Sequence, residues 1–234
     1  MANKKTEKTR RLRKKKKDKY ERQLKIILIL MLSLFLLVFL INLLIKQANK
    51  FKYLDLEFKK IRVGQILFYQ AKFPLFDRNG NKVSYFLFNF RNNPKELEYI
   101  KINDNIRLRN NVVLAATPEI LKCEDSTLSG GTLALYMRRI GLNPIPGSTN
   151  KTEAENLKII YANCTNTTLY SIILSKKGNK SEITKQGNCY ILNMENCQEV
   201  MKVTERFMLG IYADAMGIEL ENKKRELQNV SKLK

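Results

Sequence analysis

The longest uninterrupted apolar stretch of the chain is IILILMLSLFLLVFLINLLI, residues 26–45. It holds no charge, and its only polar side chains are Ser33 and Asn42. Twenty helical residues extend roughly 30 Å, the hydrocarbon thickness of a bilayer. The run exceeds the apolar core of a cleaved signal peptide, and Lys46-Gln47-Ala48-Asn49-Lys50 after it offers no small-x-small cleavage pattern. It has no polar face, as a core helix would. The pattern predicts one retained membrane-spanning helix.

Past this run the texture becomes β. Residues 46–60 read as a basic stalk. Ile66–Phe73 and Val83–Phe90 alternate, with the Asn-Gly turn signal of Asp77-Arg78-Asn79-Gly80 between them. In the second run Phe86, Phe88 and Phe90 share one face, which is too apolar to be left in water. Leu97–Ile102 and Ile106–Leu108 add two short strands, so 61–110 is predicted to be a small antiparallel, β-rich subdomain.

Residues 111–218 alternate strand and helix. Val112–Ala116 reads as a buried strand. A helix capped by Asp125 or Ser126 follows to Ile140, with Leu133, Tyr136, Met137 and Ile140 on one face. Pro144, Pro146 and Gly147–Asn150 read as loop. Thr152 with Glu155 forms a capping box for a brief helix. Leu157–Ala162 is a second buried strand. Leu169–Leu174 and Ile183–Lys185 make a hairpin about Lys177-Gly178-Asn179, and Tyr190–Leu192 is one more strand. A last helix, capped by Asn196 with Glu199, runs to about Met216 on a stripe of Val200, Val203, Phe207, Met208, Ile211 and Ala215. Residues 219–234 are a charged tail. The fold class is therefore α/β (α+β): a small antiparallel sheet, then strand-helix-strand-hairpin-strand-helix. The strands at 112–116 and 157–162 should be parallel with a right-handed crossover.

Charge sets the orientation. The chain carries +21, of which +10 lies in residues 1–25 around Arg10-Arg11-Leu12-Arg13 and Lys14 to Lys17. Basic residues beside a span remain cytoplasmic. The amino terminus is expected inside, residues 46–234 outside, and the protein in the cell membrane. The tail reads as a topology signal, or else as a patch for anionic lipid or nucleic acid. The remaining +11 is spread evenly, so nucleic acid is not expected as a partner. The lipid bilayer and other envelope proteins are.

There is no His, which removes Ser-His-Asp and Cys-His nucleophile systems, His-ligated zinc and a His pH switch. Cys123, Cys164, Cys189 and Cys197 all follow the apolar run, and an even number outside the cytoplasm reads as disulfides. Three connectivities are possible. The parallel-strand reading puts Cys123 and Cys164 at one sheet edge and favours Cys123–Cys164 with Cys189–Cys197. Sequons make Asn150, Asn166 and Asn179 candidate glycosylation sites. No C-x-x-C occurs, and no cofactor or metal is expected.

The most suggestive polar cluster is Glu124, Asp125 and Ser126 with Ser129-Gly130-Gly131. It lies where α/β sheets place ligands, at strand carboxyl ends and helix amino ends. The glycines either admit a phosphate or carboxylate or pack closely on the sheet. These features predict an extracytoplasmic binding or scaffolding protein of the cell envelope rather than an enzyme. The alternative is an anchored enzyme acting on glycan or peptide. A cleft lined by Glu124, Asp125, Ser126 and another carboxylate would favour it.

The basic tail and apolar run are followed by YFLFNFRNNPK at 85–95, the Cys-containing helix start at 123–136 and YANC at 161–164. NCYILNMENCQEV at 188–200 and TERFM at 204–208 continue the series. Together they resemble uncharacterised single-pass membrane proteins of small-genome archaea, over most of residues 50–216. The resemblance implies an archaeal envelope setting and lends no catalytic residue.

Overall fold

The computed structural model describes residues 28–43, 47, 49–76, 79, 81–165 and 169–218. The basic tail and residues 219–234 lie outside the described residues. The chain divides into two units, Met1–Lys50 and Phe51–Lys234. In the first, residues 28–43 form a helix, α1, exposed throughout. Residues 26, 27, 44 and 45 of the apolar run lie outside the described residues. Among the described residues no helix is long and apolar enough to cross a membrane.

The second unit begins with a four-stranded antiparallel sheet, ordered β1 (Lys50–Tyr53), β2 (Leu56–Val63), β3 (Ile66–Phe76), β4 (Lys82–Phe90). The first two strands occupy most of what reads as a stalk. Leu56 and Phe58 point inward between Glu57 and Lys59, an alternation that the surrounding lysines hide. Leu54 and Asp55 turn the chain between these strands with φ of 49° and 58°, the left-handed pair of a two-residue hairpin without the usual glycine. The β3–β4 hairpin is as expected; of its four turn residues only Asn79 is described.

The sheet stops at Phe90, short of the predicted 110. Pro94–Leu97 is a 3-10 turn capped by Asn93, and Lys101–Ile102 (β5) joins the other sheet. Residues 106–108 form no strand because side chains take their backbone groups. The N–H of Ile106 donates to Asp214, and that of Arg107 to the Tyr190 hydroxyl.

The second sheet has seven strands in the order β5-β10-β11-β9-β6-β7-β8. Its members are β6 (Asn111–Ala116), β7 (Asn143–Ser148), β8 (Ile160–Tyr161), β9 (Ser171–Lys177), β10 (Glu182–Gln186) and β11 (Cys189–Met194). The five strands from β11 to β8 are parallel; β10 runs against β11. The helices are α2 (Pro118–Leu121), α3 (Ser126–Arg139), α4 (Lys151–Leu157) and α5 (Glu199–Ala215).

Three sequence expectations are corrected here. Residues 143–148 are a strand, not a loop: the N–H of Asn143 bonds the Asn110 carbonyl, so the prolines at 144 and 146 turn their missing N–H the other way, toward a sheet margin. Buried strand 157–162 shrinks to the two edge residues of β8, because Leu157 closes α4 and Lys158 takes a left-handed φ of 52°. The hairpin is β10–β11 about Gly187, at φ 62°, and β9 pairs β11 instead.

Helices α3 and α5 lie between the two sheets. Phe73 stacks on Phe86 at 5.1 Å and meets Tyr136 of α3 and Tyr212 of α5 at 5.5 and 5.2 Å. This is what covers the phenylalanine face. Tyr190 of β11 meets Phe207 of α5 from the other side. Helix α5 is buried on every face from Glu199 to Ala213 apart from Lys202, whereas a single stripe, ending at the exposed Ala215, was legible. A smaller core with Val113, Ala115, Ala162, Ile172 and Cys189 occupies the far face of the mixed sheet.

Candidate functional site

Strands β6 and β9 are parallel neighbours whose onward connections diverge. β6 leads through α2 and α3 to β7 on one side, and β9 leads to β10 on the other. A crevice at such carboxyl ends is where open α/β sheets bind ligands. A cleft of about 390 Å³ lies there. Ala116 and Ser175 form its floor, Ser126 and Gly130 of α3 one wall, and Ser148 and Glu153 another.

Its polar lining is mostly hydroxyl. Ser129 meets Thr204 of α5 at 2.6 Å, and Thr204 donates to the Val200 carbonyl at 2.8 Å. Ser148 donates to the Glu153 carboxylate and accepts from the Asn150 N–H at 3.0 Å. A ligand here would meet short neutral donors and acceptors, apolar patches from Leu114 and Ile173, and one carboxylate already holding a hydroxyl.

The predicted ligand loop is split. Ser126 is buried in the cleft wall, whereas neither Glu124 nor Asp125 lines it. Glu124 is exposed, and Asp125 pairs with the Arg91 guanidinium at 2.7 Å. Asp125 makes no capping bond to α3, since its carboxylate is turned to Arg91. A Cβ on Gly130 or Gly131 would meet nothing within 4 Å. The pair therefore opens the helix surface and does not serve close packing on the sheet. The T-x-x-E box is also displaced: α4 is capped by Asn150, whose side chain accepts from the Glu153 N–H. Asn196 makes a turn bond to the Gln198 N–H in place of a helix cap, and Glu199 bonds Tyr99 and Lys202. Asn150 and Asn179 are exposed; Asn166 lies outside the described residues.

The bridges are Cys123–Cys197 and Cys164–Cys189, with Cα separations of 5.2 and 5.4 Å. This corrects the favoured pairing. Cys123 and Cys197 precede α3 and α5, which pack side by side between the sheets. Cys189 belongs to the core on the opposite face of the mixed sheet, and Cys164 packs against it. The sheet itself separates the two pairs. Cys123–Cys197 also ties the α2–α3 corner to the start of α5, holding two cleft walls together. Two bridges mark a domain suited to an oxidising, extracellular or secreted setting.

Of the polar cluster singled out in the sequence, Ser126, Ser129 and Gly130 line the cleft, whereas sequence reasoning missed Ser148, Glu153, Ser175 and Thr204. The available signal for Thr204 was a hydroxyl inside an otherwise apolar pattern, between Val203 and Phe207. Among the described residues no cluster of three or more His, Cys, Asp or Glu could hold a metal ion. No family model matches the chain, and no curated protein or solved structure does either.

Proposed function

We propose that this is a membrane-anchored, extracytoplasmic binding or scaffolding protein of the cell envelope, in keeping with its resemblance to single-pass archaeal proteins. The uncharged run at 26–45 behind a +10 tail supports the anchor, with the amino terminus inside. Two disulfides support the outer placement. The observation that carries the binding role is the hydroxyl-lined cleft at the diverging ends of β6 and β9. Short neutral hydroxyls suit a hydrogen-bonding ligand such as a glycan or a peptide backbone.

A second reading, an anchored enzyme acting on glycan or peptide, draws support from one contact. Ser148 and Glu153 bring a hydroxyl and a carboxylate together in the cleft.

Gly130→Phe discriminates. It places a ring at the cleft mouth where a Cβ meets no neighbour, so the fold should survive. The full chain in detergent micelles is tested against a panel of envelope glycans and peptides. At least tenfold weaker binding by the variant supports the binding role. Equal binding by both proteins would overturn the assignment to this cleft. Turnover of a panel member, abolished by Glu153→Gln, would establish the enzyme.

A further inference from the structure

Among the described residues, only one face of the four-stranded sheet is covered. The register puts Val63 opposite Ile66, Lys72 opposite Leu87 and Pro74 opposite Tyr85 on the other. Val63, Ile66, Phe76, Val83, Tyr85 and Leu87 are 45–63% exposed along that face and its rim. An antiparallel sheet with one face in water normally makes that face polar, and exposed apolar groups so clustered mark an interaction surface.

The charges around them have one sign. Among the described residues, Lys50, Lys52, Lys59, Lys72 and Lys82 are exposed on this side, against Glu57 alone. The ammonium groups of Lys72 and Lys82 each stand 4.0 Å from the centre of the Tyr85 ring. Aliphatic groups able to enter an acyl boundary, a tyrosine at the level of the headgroups and lysines whose stems let the charge reach phosphate suit an anionic lipid surface.

Chain length points to the same occupant. Four residues, 46–49, separate the end of the apolar run from β1. Five Cα steps reach at most about 18 Å, and the headgroup layer on each side of a bilayer is about 6 Å thick. With the run inserted, the first strand cannot leave the neighbourhood of the membrane.

We infer that the outer face of the four-stranded sheet lies against the outer leaflet of an anionic bilayer. The inference rests on the reading of residues 26–45 as a membrane anchor. All four cysteines are bridged, so Val83→Cys, Leu87→Cys and Glu155→Cys each supply one free thiol for a spin label. Position 155 is an exposed site on α4 beside the mixed sheet, and serves as the control.

The full chain is reconstituted into vesicles of phosphatidylglycerol with phosphatidylcholine and floated on a density gradient. Labels at 83 and 87 are expected to show an oxygen-to-nickel accessibility ratio several-fold above that at 155. The contrast should shrink in pure phosphatidylcholine. Equal ratios at all three positions in protein that floats would overturn the membrane contact and leave the anchor standing. Dipolar broadening between labels at 87 on two copies would assign the face to a second chain instead. Protein that does not float would overturn anchor and contact together.

Discussion

Glu205 and Arg206 are consecutive on α5, each about 1% exposed, and turn to different partners. The Glu205 carboxylate accepts from the N–H of Arg91 at 2.5 Å, the N–H of Asn92 at 3.0 Å and the Asn92 side chain at 2.8 Å. Arg206 donates to the Ile100 carbonyl at 3.3 Å and to the Tyr53 hydroxyl at 2.8 Å. One turn of helix thereby holds both ends of the 91–100 connection between the two sheets.

Burial pushes the Glu205 carboxyl up to about 7, against the donors from Arg91 and Asn92 that favour the charged form. A native value above the unfolded one means that the folded state binds the proton more tightly. The contribution is fully present below about pH 4.5 and is lost as pH rises to about 7, a change on the order of 3 kcal/mol. Urea unfolding between pH 4.5 and 7 should show stability falling with pH, and Glu205→Gln should flatten that slope. An unchanged slope in the variant would remove Glu205 as the cause.

Peptide mapping without reduction should recover the 123–197 and 164–189 links. By loop length, bridges of sequence separation 74 and 25 stabilise by about 4 and about 3.5 kcal/mol. A double Cys123→Ser, Cys197→Ser variant should therefore lose at least as much as the other pair. A recovered 123–164 link would contradict the fold around the mixed sheet.

Glycines 147 and 130 should respond oppositely to alanine. A Cβ on Gly147 would stand 2.5 Å from Val113 Cγ1 and 3.1 Å from the Ile160 carbonyl oxygen. Valine is stiff and the carbonyl is backbone, so Gly147→Ala should cost about 1–3 kcal/mol. Gly130→Ala, in open space on a helix, should be neutral or gain up to about 1 kcal/mol. Thermal melts of the two variants check the difference.

The Arg91–Asp125 pair is little more than a third exposed on each side. A double-mutant cycle with Arg91→Ala and Asp125→Ala should give a coupling of about 1 kcal/mol or less, shrinking in high salt. A vanishing coupling with a costly Asp125→Ala single variant would mean that Asp125 acts on α3 independently of Arg91.

Protease added to intact cells should remove residues beyond about 50 and spare the tail, given the charge difference across the apolar run. Protection of the outer domain would reverse the proposed orientation.

Much of this was legible where the periodicity was long. The Val83–Phe90 alternation, the Val112–Ala116 run and the helices ending near Arg139 and Ala215 carry enough residues to show their period. Short or compromised elements were not. Pro144 and Pro146 disguised β7, since prolines usually exclude a strand and here sit at a margin. The lysines of β1 and β2 made paired strands look like a stalk. The rule of strand carboxyl ends pointed to the place where a cleft lies, and Ser126, Ser129 and Gly130 of the cluster named there line it, but the other lining residues were not legible. Glu124 and Asp125 are conspicuous in sequence and do not line it, whereas Ser148 and Thr204 are inconspicuous and do. The cysteine pairing failed because it depends on which side of the sheet each loop crosses, and a linear pattern carries no such information.

The bridges are nested: the first cysteine waits for the fourth, and the second joins the third. A chain delivered amino end first presents Cys123 together with Cys164 well before either native partner. Pairing in order of arrival yields neither native bond. Helix α5, which fills the space between both sheets, follows every strand, so the core that holds Cys123 is incomplete until about residue 215 is out. Biosynthesis of this protein accordingly requires thiols that stay exchangeable until the end of the chain appears, or an isomerase that undoes the first bond made.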